Sequence, residues 1–344
     1  MSLHLRTARM TLGLAATTAA LVAAACASGP RPADHPVVDE RWVTTFEAVD
    51  DIDSVAVDVD RGWVIATTKG THQLLVLDAA TGAPLRRVGA PGDEPGGFRR
   101  PNGIAVADDL VLVVERDNHR VQILALPGFE PLGTLGEELL ERPYGIAVAA
   151  RDGGIDLWVT DNFELPGRNP AGNPRLAERV KQFHVRRTAD GITAEHVRSF
   201  GETSGRGALW KVETIAVDPV RDRLLIAEES VGRMGLAVYT TDGRFTGRVV
   251  GADIFRAEPE GVGLWPDGDG GAWVATDQYK ARSVFHLFDR ATLEHLGAFT
   301  GAVTANTDGI AVVGPGIDGF PAGAVFAVHD DHGVAAFDGG AIAR

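Results

Sequence analysis

The sequence predicts an all-β fold, a six-bladed β-propeller closed by an N-terminal strand. Three observations lead there. A short phrase, one polar and one small residue followed by an apolar run, recurs six times at a mean spacing of about 50 residues. Each copy precedes short β-rich runs separated by turn residues, with no long amphipathic helical pattern. The last repeat ends one strand short, while a strand-like segment stands unassigned before the first.

The repeats follow in order. Asp53-Ser54-Val55-Ala56-Val57 opens the first, and Trp63-Val64-Ile65-Ala66 supplies its second strand. Asn102-Gly103-Ile104-Ala105-Val106 opens the second, followed by Val111-Leu112-Val113-Val114 and Val121-Gln122-Ile123-Leu124. The third begins at Tyr144-Gly145-Ile146-Ala147-Val148 and continues with Leu157-Trp158-Val159. Residues 162–178, with Pro166, Pro170 and Pro174, then break the pattern and read as a loop placed as a lid over one face. Glu213-Thr214-Ile215-Ala216-Val217 opens the fourth repeat and Glu260-Gly261-Val262-Gly263-Leu264 the fifth. Asp308-Gly309-Ile310-Ala311-Val312 opens the sixth, whose later strands fall at 324–328 and 333–337. Four strands per repeat in six repeats make a propeller. Residues 42–49 provide the missing outer strand, which removes an open edge and makes 40–344 one domain.

The first residues read as an address. Arg6 and Arg9 precede an apolar run from Thr11 to Ala25, the pattern of a secretory signal peptide. That run is too short for a secure membrane span. Leu21-Val22-Ala23-Ala24-Ala25-Cys26 resembles a bacterial lipobox, which implies lipidation of Cys26. Residues 1–25 are then the signal, 26–39 a flexible tether, and the protein extracytoplasmic, touching a membrane only through its lipid. Plain cleavage after Ala-x-Ala, giving a secreted protein, is the alternative. Cys26 is the single cysteine, so a disulfide scaffold is excluded.

Composition narrows the partners. A hydrophobic content of 44% excludes a disordered chain. The formal charge is -14, and removing residues 1–25, which carry two Arg and no carboxylate, makes it -16. Such acidity argues against nucleic acid as a partner.

A propeller turns this acidity into geometry, because equivalent inner-strand residues converge on the axis. The residues opening the inner strands are Asp53, Asn102, Tyr144, Glu213, Glu260 and Asp308. Converging carboxylates repel unless protonated or bridged by a cation, and calcium takes about six to eight oxygen ligands. The second strands end on the same mouth, at Thr68, Arg116, Asp161, Glu229, Asp277 and Asp330. One residue further on stand Lys69, Asp117, Asn162, Ser230, Gln278 and Asp331. Acids on one side and cations on the other suit a metal-bridged oxyanion, phosphate above all.

Two resemblances join this reading. Residues 100–123, from Arg100-Pro101-Asn102-Gly103 to Val121-Gln122-Ile123, resemble an NHL repeat. Most of the propeller resembles the β-propeller phytases, calcium-dependent enzymes that remove phosphates from inositol hexakisphosphate. The similar segments include Val212-Glu213-Thr214-Ile215-Ala216-Val217-Asp218, Ala227-Glu228-Glu229, Glu258-Pro259-Glu260-Gly261 and Asn306-Thr307-Asp308-Gly309-Ile310. Asp50-Asp51-Ile52-Asp53, Thr67-Thr68-Lys69, Tyr144-Gly145 and Ala275-Thr276-Asp277-Gln278 extend the likeness. The resemblance implies calcium held by Asp51, Asp53, Glu213, Glu229, Glu258, Glu260 and Asp308. It implies phosphate contacts from Lys69, Tyr144 and Gln278, with Arg116 as a further cation. The likeness breaks where the family's Asn-Asn-x-Asp-x-Arg meets Pro101-Asn102-Gly103-Ile104-Ala105-Val106.

Three functional expectations follow. The first is a calcium-dependent phosphomonoesterase of the 3-phytase type, acting on phytate or a related small phosphate ester. A lactonase-type propeller with one axial calcium is the second. The third is a noncatalytic lipoprotein propeller that binds a ligand or protein partner.

Overall fold

The computed structural model describes residues 31–151, 153–167 and 169–342. Cys26, the signal segment 1–25 and the first tether residues, 26–30, lie outside them. Six antiparallel sheets succeed one another around a ring, as the repeats predict. Their inner strands are Ile52–Asp58, Pro101–Ala107, Pro143–Arg151, Ile215–Asp218, Pro259–Asp267 and Ile310–Val313. Each inner strand lies beside those of the two neighbouring blades, and the sixth meets the first, so the ring closes. The second strands are enclosed by adjacent blades. Val111, Leu112, Val113 and Val114 are accordingly all buried, which is why this strand is apolar throughout rather than alternating.

The closing strand forms as expected. Trp42–Thr45 pairs antiparallel with Gly333–Asp338, the third strand of blade six, with Trp42 opposite Ala336. Trp42 Nε1 donates to the Ala79 carbonyl of blade one at 3.0 Å. Its ring packs 5.8 Å from that of Phe326. One boundary changes. Val37–Val38 adds in parallel to the outer strand of blade five, Val37 opposite Thr300, so 37–39 belong to the propeller rather than the tether. Glu40 reinforces this by accepting from the backbone N–H groups of Ala302, Val303 and Thr304. The physical reason is an uncovered sheet edge, which two valines and a carboxylate satisfy.

The recurrent polar–small phrase marks a β-bulge. In blade one Ile52 pairs with Thr68 and Val55 with Ala66, so Asp53 and Ser54 together face the single residue Thr67. The same shift sets Asn102-Gly103, Tyr144-Gly145 and Glu260-Gly261 against one residue each. A bulge re-aims one side chain and bends the strand. Here the polar member turns to the channel, while the small member meets the next blade. A Cβ on Gly145 would stand 2.1 Å from the Glu213 carbonyl oxygen, and one on Gly103 2.4 Å from that of Tyr144. Thr160 joins the two blades at this point: its hydroxyl accepts from Gly145 N at 2.8 Å and donates to Glu213 O at 2.7 Å.

This contact predicts a contrast between two glycines. Gly145→Ala should destabilise the protein by about 1–3 kcal/mol or more, because backbone must move. Gly92→Ala, where the nearest atom would lie 3.9 Å from the new Cβ, should change stability by less than about 0.5 kcal/mol. Urea denaturation of both variants checks this, and equal effects would remove the blade-to-blade contact as the reason for the small residue.

Candidate metal centre

Backbone hydrogen bonds fix how each second strand delivers its last residues. Lys69 N donates to Asp51 O, Arg116 N to Arg100 O, Asn162 N to Arg142 O, Glu229 N to Lys211 O, and Gln278 N to Glu258 O. These five donors share one register, and the side chains of Lys69, Asn162, Glu229 and Gln278 line the mouth. The residue before each turns back into its own blade. Asp161 accepts from Glu141 N and Arg142 N, and Asp277 from Arg256 N and Ala257 N. Glu115 and Glu228 likewise cap Arg99 N and Trp210 N. The expectation that Thr68, Asp161 and Asp277 face the mouth beside Arg116 and Glu229 is therefore corrected. Those three are one residue out of register, and their side chains serve turns. Blade six departs too: Asp330 N bonds to Ala305 O, and Asp331 meets Asn306 at 3.0 Å.

The structure brings most of the expected acids together. Side-chain oxygens of Glu213, Glu229 and Glu260 all lie within 4.8 Å of one another. Glu229 and Glu260 are buried, and beyond an ion pair with Lys211 the Glu229 oxygens have no hydrogen-bond partner. Lys211 Nζ sits 3.0 Å from Glu229 and 3.2 Å from Glu258. Asn162 Nδ2 donates to Glu213 at 3.2 Å. Across the channel, Asp53 receives Tyr144 Oη at 2.9 Å and Lys69 Nζ at 2.8 Å. Asp51 is 3.5 Å from Lys69 and 3.8 Å from Arg100. Gln278 Nε2 donates to Asp308 Oδ1 at 2.8 Å, and Asp308 Oδ2 has no partner.

Arg116 stands apart, paired with Asp117 at 2.8 Å. Lys69, Tyr144 and Gln278 are at the mouth, but each is engaged by a carboxylate. Lys211 and Arg142 escaped the sequence reading, whereas Asn162 was among the expected exit residues. Lys211 precedes Glu213 by two residues, as Glu258 precedes Glu260, and that shared spacing was the available signal.

Packing acids together costs free energy. Burial, then the charge of Glu213, pushes the Glu229 carboxyl well up. Burial, then Glu229 and Glu213, does the same to Glu260. Burial raises Glu213 as well, against the pull of Lys211. Asp308 is pushed up to about 9 by burial and by Asp53 and Asp331. Lys211 and Lys69 stay protonated because their neighbouring acids outweigh their burial. Closely spaced, buried carboxylate oxygens are the kind of donor a hard divalent cation takes, so the chemistry of this cluster is compatible with calcium.

A cleft of about 430 Å³ adjoins the cluster, lined by Arg142, Asn162, Trp210, Lys211, Glu213 and Ser230. The loop after Asn162 forms its wall. Arg179 holds that loop by donating to the carbonyls of Asp161, Phe163, Leu209 and Trp210. Arg175 and Arg179 also pack over the Phe163 ring, 4.1 and 4.2 Å from its centroid.

Comparison with known proteins agrees with this architecture. Residues 98–124 match the NHL repeat family, within the second blade. No curated protein sequence matches the chain. Among solved structures the chain is similar to a calcium-binding protein, regucalcin from Agrobacterium tumefaciens, with 12% identity and a TM-score of 0.53. That match covers 88% of this chain and 97% of the other. A streptogramin B lyase structure matches with 13% identity and a TM-score of 0.49, covering 86% and 97%. The chain is thus a six-bladed β-propeller with an NHL repeat, and the regucalcin likeness is one of fold.

The raised carboxyls give a pH signature. A carboxyl whose folded pKa exceeds its unfolded value keeps a proton that the unfolded chain has lost. Stability then falls as pH rises between the two values. In EDTA the melting temperature should decline from about pH 5 toward about pH 9, and saturating calcium should flatten the decline. Melting curves in both conditions test this. A calcium-independent slope would contradict the cluster as a cation site.

Proposed function

We propose that the chain is a calcium-dependent phosphoric monoester hydrolase of the phytase type, acting on phytate or a related phosphate ester outside the cytoplasm and anchored through lipidated Cys26. One observation carries the reading. The Glu213–Glu229–Glu260 cluster meets a cleft whose wall includes Arg142 and Lys211. Acids for a cation and cations for an oxyanion stand side by side, and phosphate transfer needs both.

Glu213, Glu229 and Glu260, with Glu258 beside them, would hold a divalent cation, which would supply Lewis-acid charge neutralisation. Arg142, paired with the exposed Glu164, and Lys211, paired with Glu229 and Glu258 until a cation takes those acids, bind phosphoryl oxygens from the cleft side. Lys69 is held by Asp53 and Asp51, so it turns to phosphate only when those acids are otherwise neutralised. Tyr144 Oη and Gln278 Nε2 orient Asp53 and Asp308. The Phe163 wall keeps bulk water from one side of the cleft. No side-chain nucleophile is needed.

A second reading, a lactonase-type propeller with one axial cation, is favoured by a different fact. Among the described residues a single group of three acids has metal-ligand spacing.

Activity separates the two. With calcium, phosphate release from phytate or p-nitrophenyl phosphate is expected, falling about 100-fold in Glu229→Gln. Arg142→Ala should raise KM for the ester more than it lowers kcat. Absence of release from every phosphate ester, with calcium bound, contradicts the hydrolase. Opening of a simple lactone under the same conditions selects the single-cation reading.

A further inference from the structure

The cleft beside the acid cluster joins two unlike surfaces. Trp210, Lys211 and Glu213 come from one short segment just before the inner strand of blade four, Ile215–Asp218. Leu165 and Pro170 come from the loop that follows the second strand of blade three, Gly154–Asp161. An aromatic ring, a cation and a cluster acid thus arrive within four residues, and the loop adds two apolar side chains to the same cleft. Trp210, Leu165 and Pro170 are each half-buried, so apolar surface stays open to a ligand. The Arg233 guanidinium lies 4.5 Å from the centre of the Trp210 ring and holds it. Arg233 is itself fixed by the carbonyls of Gly205 at 2.9 Å and Ala208 at 2.8 Å. The loop is tied at a further point, where Gly172 N donates to Thr203 O at 2.6 Å. The apolar surface is therefore organised before any ligand arrives.

Charge restricts what this cleft takes. Arg179 spends its guanidinium on four carbonyls, so among the described lining residues Arg142 and Lys211 are the cations a ligand can meet. Two such cations match one phosphoryl group. The rest of the mouth is acidic, with Asp51 and Asp53 around Lys69, Glu258 beside Lys211, and Asp308 at Gln278. A ligand with several phosphates would set some of them against these acids, and like charges in contact are costly. An uncharged remainder avoids that cost and meets Trp210, Leu165 and Pro170 instead. The volume of about 430 Å³ suits one small molecule, since such clefts run from about 300 to 1,000 Å³.

We propose that the cleft selects monophosphate esters of apolar or aromatic alcohols, with the phosphoryl group at Lys211 and Arg142 and the alcohol against Trp210, Leu165 and Pro170. This selectivity rests on the phosphoric monoester hydrolase proposed above, and it moves the substrate class away from phytate. The reaction is ester hydrolysis. The water oxygen bonds to phosphorus, the bond from phosphorus to the ester oxygen breaks, and that oxygen leaves as the alcohol with one proton from the water. Trp210 and Leu165 touch the leaving alcohol rather than the reacting atoms, so they set specificity.

The test compares 2-phenylethyl phosphate, ethyl phosphate and phytate on the full chain with saturating calcium. The first two share their leaving-group chemistry and differ by a phenyl ring. kcat/KM should be about tenfold higher for the phenyl ester than for ethyl phosphate, and higher than for phytate. Trp210→Ala should cut the phenyl-to-ethyl ratio about tenfold, chiefly through KM. Leu165→Ser, away from the Arg233 contact, should cut it severalfold, which guards against a folding defect at Trp210. Equal kcat/KM for the two alkyl esters, or a preference for phytate, would overturn the selectivity and leave the hydrolase standing. No release from any of the three contradicts the hydrolase instead, and calorimetry with 3-phenylpropylphosphonate and propylphosphonate then decides the cleft. Binding of the phenyl analogue about tenfold tighter, lost in Trp210→Ala, upholds the apolar subsite, and equal binding overturns it.

Discussion

The repulsion among converging carboxylates is the constraint around which the rest of the site is arranged. Closing six blades brings Asp53, Glu213, Glu229, Glu260 and Asp308 to one mouth, and burial removes much of the water that would screen them. Two lysines answer part of the charge, Lys69 beside Asp53 and Lys211 beside Glu229. The remainder is held as protons or by a cation. Protons satisfy the charge, but beyond the Lys211 ion pair they leave the Glu229 oxygens without a hydrogen-bond donor. A divalent ion would satisfy charge and lone pairs together, which is the physical basis for proposing a metal centre here.

Backbone geometry makes that convergence possible. A regular strand alternates its side chains between two faces. The bulge in the inner strands breaks that alternation where Asp53, Asn102, Tyr144 and Glu260 occur, and turns them to the channel. Glycine beside the polar residue admits the neighbouring blade. Site and ring closure are thus built by the same two-residue device, so a substitution at the small position acts on both. The N-terminal segment completes the ring on two blades, through Val37–Val38 and Trp42–Thr45.

Much of this was legible in the sequence. The six phrases yielded blade number, inner strands and the positions of Asp53, Glu213, Glu260 and Asp308. Trp42–Thr45 was legible because the sixth repeat lacked a strand. The exit residues were less so. Second strands end in a turn, and the apolar run does not reveal whether its last polar residue caps that turn, as Asp161 and Asp277 do, or passes it, as Glu229 and Gln278 do. Lys211 and Arg142 lie outside the strands, on segments whose aim depends on neighbouring blades. The parallel pairing of Val37 with Thr300 joins distant segments of the chain, for which sequence periodicity carries no signal.

Function rests on whether the acid cluster binds a divalent ion at all, since both the phosphatase and the lactonase readings require it. The direct measurement is calorimetric titration of calcium into EDTA-stripped protein at pH 7, repeated in buffers of different ionisation enthalpy. The account predicts saturable binding with proton release, because the raised carboxyls must ionise to accept the ion, and loss of both in Glu229→Gln. Absence of calcium binding to the wild type, or binding unchanged by Glu229→Gln, would contradict it.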